Sequence, residues 1–264
     1  MKKTKVVSVI NYKGGVGKST ITYNLGAELS YRGFDVLLID FDGQGNLTKF
    51  TGVEKNGKCA KSITTVLNNI IAHEDITEDP IYQVSGNLDL IPCDISKEKW
   101  SNSAISVMAR ETILKRYIDS LKETCDYDYI LIDNAPSINL DFQNSLVAAD
   151  KYLIVTEPEI ASIDGIETIF QIIRQIKECF NKDLSPIGIV INKAELKTNL
   201  HTILATMIRD VWGESLYVFN SAIPKSIIVG ESVFMSKPIC EYKKDSKIGD
   251  AFKALTAEFI ERTK

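Results

Sequence analysis

The residues with the clearest chemical potential lie near the start of the chain, in a stretch rich in lysine, glycine and hydroxyl side chains. An apolar run at 5–10 leads into the sequence Asn-Tyr-Lys-Gly-Gly-Val-Gly-Lys-Ser-Thr at 11–20, and an amphipathic segment follows at once. Strand, glycine loop and helix in this order are typical of a phosphate-binding loop, because glycines let consecutive backbone N–H groups turn inward around an anion. The helix that starts at Lys18 adds the positive end of its dipole.

The side chains of this loop predict a site for a nucleoside phosphate and a metal ion. We expect Lys18 to contact the β- and γ-phosphates and the Ser19 hydroxyl to bind Mg²⁺. The loop residues expected to bind the phosphates are Lys13, Gly14, Gly15, Val16, Gly17, Lys18, Ser19 and Thr20. A lysine- and glycine-rich surface turn is the alternative, which the strand before the loop and the Ser-Thr pair after it disfavour.

Three aspartates follow apolar runs further along the chain. Asp40 ends one run, Asp42 lies two residues on, and Asp133 ends another run. If the extended conformation persists, alternation puts Asp40 and Asp42 on one side of the chain. Carboxylates at strand ends suit Mg²⁺ binding and the positioning of water in phosphoryl transfer, and Asp133 has the Walker B arrangement. Taken alone, the stretch around Asp42 is equally compatible with a solvated turn.

Strand-like apolar runs alternate with helix-like stretches throughout the chain. The predicted strands are 5–10, Asp35–Ile39, Leu88–Ile91, Tyr127–Ile132, Lys151–Val155, Ile187–Ile191 and Leu216–Phe219. The predicted helices are 18–32, 110–124, 140–149, 162–180, 199–212 and 247–262. This alternation predicts an α/β fold, with a mostly parallel twisted sheet, helices on both faces and ligands bound beyond the carboxyl ends of the strands. Region 52–87 has the least regular pattern.

Composition limits the classes of function. Apolar residues make up 44% and charged residues 25% of the 264 residues, as in an ordinary soluble globular protein. The net charge of −4 gives no support for a bulk electrostatic attraction to nucleic acid, so any such binding requires a local patch. Five scattered cysteines indicate thiols in a reducing cytosol. We expect one domain over 1–264 without an N-terminal helix-turn-helix, no signal peptide, no membrane-spanning helix and a cytoplasmic location.

Departures from the standard phosphate-loop pattern point to one family. The standard motif G-x-x-x-x-G-K-S/T has glycine where this chain has Tyr12, and the chain instead reads K-G-G-x-G-K-S with a second lysine, Lys13. This resembles the deviant Walker A motif of the ParA/MinD family of dimerising P-loop ATPases. Residues 40–46 resemble the family's D-x-D-x-Q-G-N element, with Gly43 where proline is common. Residues 133–137 resemble its D-x-x-P-S element.

The resemblance implies roles for individual residues. Lys13 would reach across a homodimer formed on ATP binding into the partner's ATP, and Asp42 would orient or activate the attacking water. Asp40 and Asp133 would join Ser19 around Mg²⁺. The strand-end asparagine Asn192 would hydrogen-bond adenine. ATP and Mg²⁺ are the implied cofactors.

Residues 223–238 resemble the family's I-P-R … E-A-P … G-K-P stretch, in which Pro224 would pack against the base. The basic position of this stretch, which the family links to DNA contact, is Lys225. A locally basic C-terminal quarter adds Lys243, Lys244 and Lys247 as candidate DNA contacts, although interleaved acids make a solvated helix face equally compatible. Non-specific DNA binding in relatives favours a phosphate-tracking patch across a dimer.

Three functions fit the motifs to different degrees. The first is an ATPase that dimerises on ATP, binds DNA non-specifically, lies on the nucleoid and segregates a plasmid, chromosome or mobile element with a ParB-like centromere-binding protein. The second is a membrane-positioning ATPase of the MinD type, which requires an amphipathic terminal helix. Residues 249–262 have apolar residues at core-packing spacing instead, so we expect no stable membrane association. The third, an iron protein of the nitrogenase type, lacks a cysteine at 133–137.

Overall fold

A computed structural model describes residues 4–56, 61–195 and 198–264. Seven strands form one sheet in the order β3-β4-β2-β5-β1-β6-β7. Neighbouring strands run parallel except for the antiparallel pair β3–β4 at one edge. The strands are β1 (Lys5–Ile10), β2 (Val36–Phe41), β3 (Tyr82–Ser85), β4 (Leu88–Ile91), β5 (Tyr129–Asn134), β6 (Lys151–Thr156) and β7 (Ser185–Ile191). The predicted mostly parallel α/β fold is therefore confirmed.

Helices cover both faces of the sheet. They are α1 (Lys18–Tyr31), α2 (Asn46–Thr51), α3 (Ile63–Ala72), α4 (Lys97–Ser103), α5 (Ile113–Thr124), α6 (Leu140–Ala148), α7 (Ala161–Cys179), α8 (Asn199–Trp212), α9 (Ile227–Phe234), α10 (Ile239–Tyr242) and α11 (Lys247–Arg262). Successive strand residues point to opposite faces, so Val6 and Ile10 pack with α3 to α8, whereas Val7 and Val9 pack with α1, α10 and α11. Of the described helices, none combines the length and the apolar composition needed to cross a bilayer.

Two strands extend further than predicted, and this brings two candidate site residues into the sheet. β2 and β5 continue through Asp40 and Asp133, which lie opposite each other in the β2–β5 register. Both aspartates are fully buried. The carboxyl ends of these central strands therefore hold two adjacent acids, as expected for a site beyond the strand ends.

The predicted strand Leu216–Phe219 is wrong, because only an isolated bridge joins Val218 to Ile189 of β7. The Ile189 N–H donates to the Tyr217 carbonyl at 2.8 Å, and the Phe219 N–H donates back to Ile189 at 2.9 Å. The next two N–H groups, of Asn220 and Ser221, bond instead to the Glu258 carboxylate, each at 2.9 Å. The ladder is interrupted at these two residues because their N–H groups have another acceptor, and a bond to β7 returns only where the Ile223 N–H donates to the Ile191 carbonyl at 2.9 Å.

Region 52–87 is more regular than the sequence indicated. It contains α3 and the edge strand β3, and residues 57–60 lie outside the described part of the chain. Helices α2, α4, α9 and α10 also escaped prediction. Three are shorter than eight residues, too short for a helical period to show. The start of predicted helix 110–124 is a 3₁₀ turn, Arg110–Thr112.

Substitution of Gly188 tests the close contact between residues 217–219 and β7. Its φ is +153°, and an added Cβ would lie 2.3 Å from the Tyr217 carbonyl oxygen. We expect Gly188→Ala to lower the free energy of unfolding by about 1–3 kcal/mol, the usual cost of forced backbone strain. The matched control is Gly230→Ala in α9, where an added Cβ meets nothing within 4 Å. Chemical denaturation of both variants measures the difference, and equal midpoints would contradict the assigned contact.

Candidate functional site

The phosphate loop is held in place by side chains on the neighbouring strand ends. The Asn11 amide donates to the Val155 carbonyl of β6 at 2.8 Å, and its Oδ1 accepts the Lys13 N–H at 2.9 Å. Gly15 and Gly17 adopt φ values of +82° and +89°, in the left-handed region that glycine tolerates. The loop conformation thus depends on its glycines and on a buried asparagine beneath it.

A second pair of anchors follows β7. The Asn192 amide donates to the Val16 carbonyl at 2.7 Å, so this predicted adenine contact supports the loop in the structure, and its role toward a base stays a prediction. Lys193, with a φ of +51°, donates to the Gly15 carbonyl and forms an ion pair with Glu157 at 2.9 Å. The sequence analysis assigned no role to Lys193. Its position directly after the strand-end residue Asn192 is the signal that could have indicated one.

Lys18 points into a cavity of about 320 Å³ in front of the loop. The residues lining this cavity are Gly15, Gly17, Lys18, Ser19, Thr20, Asp42, Asn46, Phe50, Asn134, Pro136 and Lys193. Lys18 is only 6% exposed, and its Nζ lies 3.4 Å from the Lys13 carbonyl oxygen. Burial lowers the pKa of Lys18, whereas the nearby Asp133 and Asp42 carboxylates favour its charged form. A phosphate entering this cavity would add a negative charge beside this buried ammonium and offset its desolvation.

Asp40 has its hydrogen-bonding capacity occupied by protein groups. One carboxylate oxygen accepts the Thr48 N–H at 2.8 Å and the Thr48 hydroxyl at 2.6 Å, and the other accepts the Asp42 N–H at 3.2 Å. Burial raises its pKa to about 6, although these hydrogen bonds oppose the shift. Asp40 does not line the cavity described above. It therefore stabilises the turn that carries Asp42, and its expected place around Mg²⁺ stays a prediction.

Asp133 differs from Asp40 because one of its carboxylate oxygens has no hydrogen-bond partner among the described residues. Its Oδ1 lies 3.5 Å from the Thr22 hydroxyl, and Oδ2 is buried without a hydrogen-bond partner among the residues that the structure describes. Burial and the adjacent Asp40 raise the pKa of Asp133 well above its usual value, whereas a hydrogen bond from Ser19 and the charge of Lys18 lower it. A buried carboxylate oxygen beside a serine hydroxyl fits a hard cation such as Mg²⁺. The structure thus brings Ser19 and Asp133 together, and their expected role around Mg²⁺ stays a prediction.

Asp42 is the carboxylate that faces the cavity. It is 7% exposed and lines the wall together with Lys18 and Ser19. Its Oδ1 accepts the Gln44 N–H at 3.0 Å, which fixes the side chain at the start of the turn before α2. This placement allows Asp42 to hold a water molecule near a bound phosphate.

The lysines predicted to act across a dimer or on DNA, and Pro224, lie outside the lining of this cavity. The Lys13 ammonium, over a third exposed, forms an ion pair with Glu159 and does not line the cavity in front of the loop. Pro224, Lys225 and Lys247 line a separate cavity of about 600 Å³. Lys225 is paired there with Glu195 at 2.7 Å.

Lys243 and Lys244 are exposed in the turn before α11. The structure brings Lys225 and Lys247 together but divides the four predicted DNA contacts between that cavity and this turn.

Similarity to known proteins agrees with the geometry of the phosphate loop. The AAA_31 family model, an AAA domain, matches residues 4–186. An uncharacterized protein of Methanocaldococcus jannaschii is 33% identical over 98% of this chain and 99% of its own length. The sporulation initiation inhibitor protein Soj of Bacillus subtilis is 31% identical over 96% of this chain and 97% of its own length. This chain belongs to the ParA/MinD family of P-loop ATPases.

Solved structures share the fold of this ParA/MinD family member. Cobyrinic acid a,c-diamide synthase from Mycobacterium smegmatis with ADP and magnesium aligns with a TM-score of 0.82 at 24% identity, over 98% of this chain and 95% of its own. A plasmid partition protein from Borrelia burgdorferi bound to AMPPNP has a TM-score of 0.82 at 22% identity, over 98% of this chain and its entire length. At these identities the likeness shows the fold alone.

The contact between Gly17 and Asn192 gives a prediction about nucleotide affinity. An added Cβ on Gly17 would lie 2.2 Å from the Asn192 amide nitrogen, whereas one on Gly15 would meet nothing within 4 Å. Both glycines have positive φ, so both alanine variants pay a similar backbone strain and only Gly17→Ala displaces the anchor. We expect Gly17→Ala to weaken binding of a fluorescent ATP analogue at least about tenfold more than Gly15→Ala. Equal losses in a fluorescence titration would show that the Asn192 anchor does not matter.

Proposed function

We propose that this chain is a Mg²⁺-dependent ATPase that dimerises on binding ATP, binds DNA without sequence preference in that state and segregates a plasmid, chromosome or mobile element. It acts as one domain over residues 1–264, in the cytoplasm and on the nucleoid, and a ParB-like centromere-binding protein stimulates its hydrolysis. The observation that carries the proposal is one cavity wall shared by Lys18, Ser19 and Asp42, with the spare oxygen of Asp133 behind Ser19.

The ATPase chemistry is divided among these four side chains. Lys18 would face the β- and γ-phosphates, while Ser19 and Asp133 would hold Mg²⁺, which when bound neutralises phosphate charge. Asp42 orients the attacking water and accepts a hydrogen bond from it. The choice of ATP and Mg²⁺ as ligands is consistent with the similar structures, which hold AMPPNP in one case and ADP with magnesium in the other.

Dimerisation is supported by the position of Lys13. Its ammonium ends at Glu159, away from the cavity in front of its own loop, and the ion pair is partly exposed. An exposed ion pair contributes about 1 kcal/mol or less, so the lysine exchanges this carboxylate for a phosphate at little cost. We therefore assign Lys13 to the nucleotide of the partner subunit.

Lys13→Ala tests this assignment directly. The variant is expected to bind ATP as a monomer with near-normal affinity, but to lose both ATP-dependent dimerisation and more than about 90% of turnover, because its cation acts on the other subunit. The control is Lys115→Ala, which removes an ion-paired lysine from the exposed side of α5. Sedimentation velocity with ADP and with a slowly hydrolysed ATP analogue gives the result. A dimer that forms regardless of nucleotide would contradict the proposal.

DNA binding is assigned to the turn before α11 ahead of the predicted Lys225. Lys225 is already paired with Glu195, whereas Lys243 and Lys244 lie exposed and adjacent. With a net charge of −4, one subunit attracts DNA weakly, and a dimer doubles the number of such lysines. Apolar residues of α11, Phe252, Leu255 and Phe259, are buried in the core, so this helix has no free apolar face for a membrane.

Electrophoretic shifts on unrelated duplexes test this assignment. We expect a shift with the ATP analogue but not with ADP, and a steep loss of binding between about 50 and 200 mM salt. Lys243→Glu/Lys244→Glu should abolish the shift and leave nucleotide affinity intact. Lys115→Glu/Lys122→Glu on α5 makes the same change of charge elsewhere and should preserve it. Sedimentation with anionic liposomes in place of a DNA shift would move the assignment to the MinD-type membrane function.

A further inference from the structure

Lys97, the first residue of α4, is a charged side chain with no role in the functions considered above. Its side chain is 1% exposed, and the ammonium forms an ion pair with the nearly buried Asp141 of α6. The same nitrogen lies 4.1 Å from the centre of the Phe41 ring and 4.5 Å from that of the Trp100 ring. Burial lowers the pKa of Lys97, whereas Asp141 raises it. We call Lys97, Asp141, Phe41 and Trp100 the lysine cage.

The lysine cage is an unusual way to fill the interior. Lysine is almost never fully buried unless paired, and a buried ion pair is often less stabilising than apolar side chains of similar volume. Methionine at this position would fill a similar space without the desolvation of a charge. Stability alone therefore does not account for Lys97.

Two members of the lysine cage belong to segments that carry the nucleotide site. Phe41 is the last residue of β2 and lies between Asp40 and Asp42, so its ring position is tied to the turn that presents Asp42 to the cavity. Burial lowers the pKa of Lys97, and the charge of Asp42 adds a small contribution to that of Asp141 in opposing this shift.

Asp141 connects the cage to the opposite wall. Asn139 precedes α6 and caps it, accepting the N–H groups of Asp141 at 3.1 Å and Phe142 at 3.2 Å. The segment between Asp133 and this cap contains Asn134, the last residue of β5, and Pro136, both of which line the cavity. A shift of Asp141 therefore moves the cap on which this loop ends.

We propose that Lys97 is a positioning residue for ATP hydrolysis, which holds the Asp42 turn and the loop after Asp133 in a fixed relative position. The inference rests on the proposed ATPase function. One ammonium attracts a ring from the first segment and a carboxylate from the second, so neither segment moves without weakening a contact to Lys97. Phosphoryl transfer depends on such positioning, because a displacement of about 1 Å between reacting groups costs about 100-fold in rate.

The decisive variant is Lys97→Met/Asp141→Asn, which removes both charges and nearly preserves both shapes. A merely structural ion pair is dispensable in this variant, since no unpaired charge is left buried. We expect a thermal midpoint close to that of the wild type, an affinity for an ATP analogue within about threefold and a kcat at least about tenfold lower. Lys97→Arg, which keeps the charge and can stack on both rings, should retain most of kcat. Wild-type kcat in the double variant, or a change in KM alone, would overturn the proposal.

A second measurement covers the case in which the double variant fails to fold. Phe41→Leu leaves the ion pair intact and removes only its link to the Asp42 turn, so it should show the same selective loss of kcat. Wild-type kcat in Phe41→Leu would overturn the link.

Fluorescence separates this inference from the ATPase proposal. The chain has two tryptophans, so a Trp212→Phe background isolates Trp100 of the lysine cage. Mg²⁺ and the ATP analogue should change Trp100 emission in this background, and Lys97→Met/Asp141→Asn should suppress the change although the analogue still binds. A protein that binds nucleotide without hydrolysing it would refute the ATPase function, but the Trp100 signal would still decide whether the cage is coupled to the site. An unchanged Trp100 signal on binding would refute the coupling itself.

Discussion

Two fully buried aspartates, Asp40 and Asp133, lie side by side where β2 and β5 end. Adjacent carboxylates in a dry environment repel each other, and burial alone already disfavours their charged forms. The fold offsets the cost of burying each charge in a different way. Asp40 accepts hydrogen bonds from Thr48 and from the turn before α2. Asp133 is stabilised by a hydrogen bond from Ser19 and by the charge of Lys18. The side chains that stabilise these acids come from the first turns of α1 and α2, which begin at this end of the sheet.

This division also gives the two aspartates different capacities. Asp40 uses its oxygens to hold a protein turn, whereas Oδ2 of Asp133 has no hydrogen-bond partner in the part of the chain that the structure describes. A cation held there would relieve the repulsion that raises the pKa of Asp133. The site is therefore organised for a charge that the polypeptide does not itself provide.

The central part of this arrangement was accessible from the sequence because it is local. The phosphate loop, the strand-end aspartates and most parallel strands carry their signal within about ten consecutive residues. Leu216–Phe219 failed as a strand because its pairing is limited by Glu258, a residue distant in the chain. The burial of Lys97 could not be predicted for the same reason. Its charged sequence neighbours are typical of a solvent-exposed segment, and its contacts with Phe41 and Asp141 come from distant parts of the chain. The role of Thr48 as a hydrogen-bond donor to Asp40 likewise becomes visible only in the folded structure.

The isolated bridge beside β7 has a consequence for association between copies of the chain. An open sheet edge exposes unpaired N–H and C=O groups, which can recruit a strand from another molecule and lead to aggregation. Here the segment around Val218 occupies the middle of that edge, Glu258 takes the next two N–H groups, and the Ile223 N–H then bonds to Ile191 at the end of β7. At this end of the sheet, a second copy of the chain is thereby hindered from adding a strand to β7.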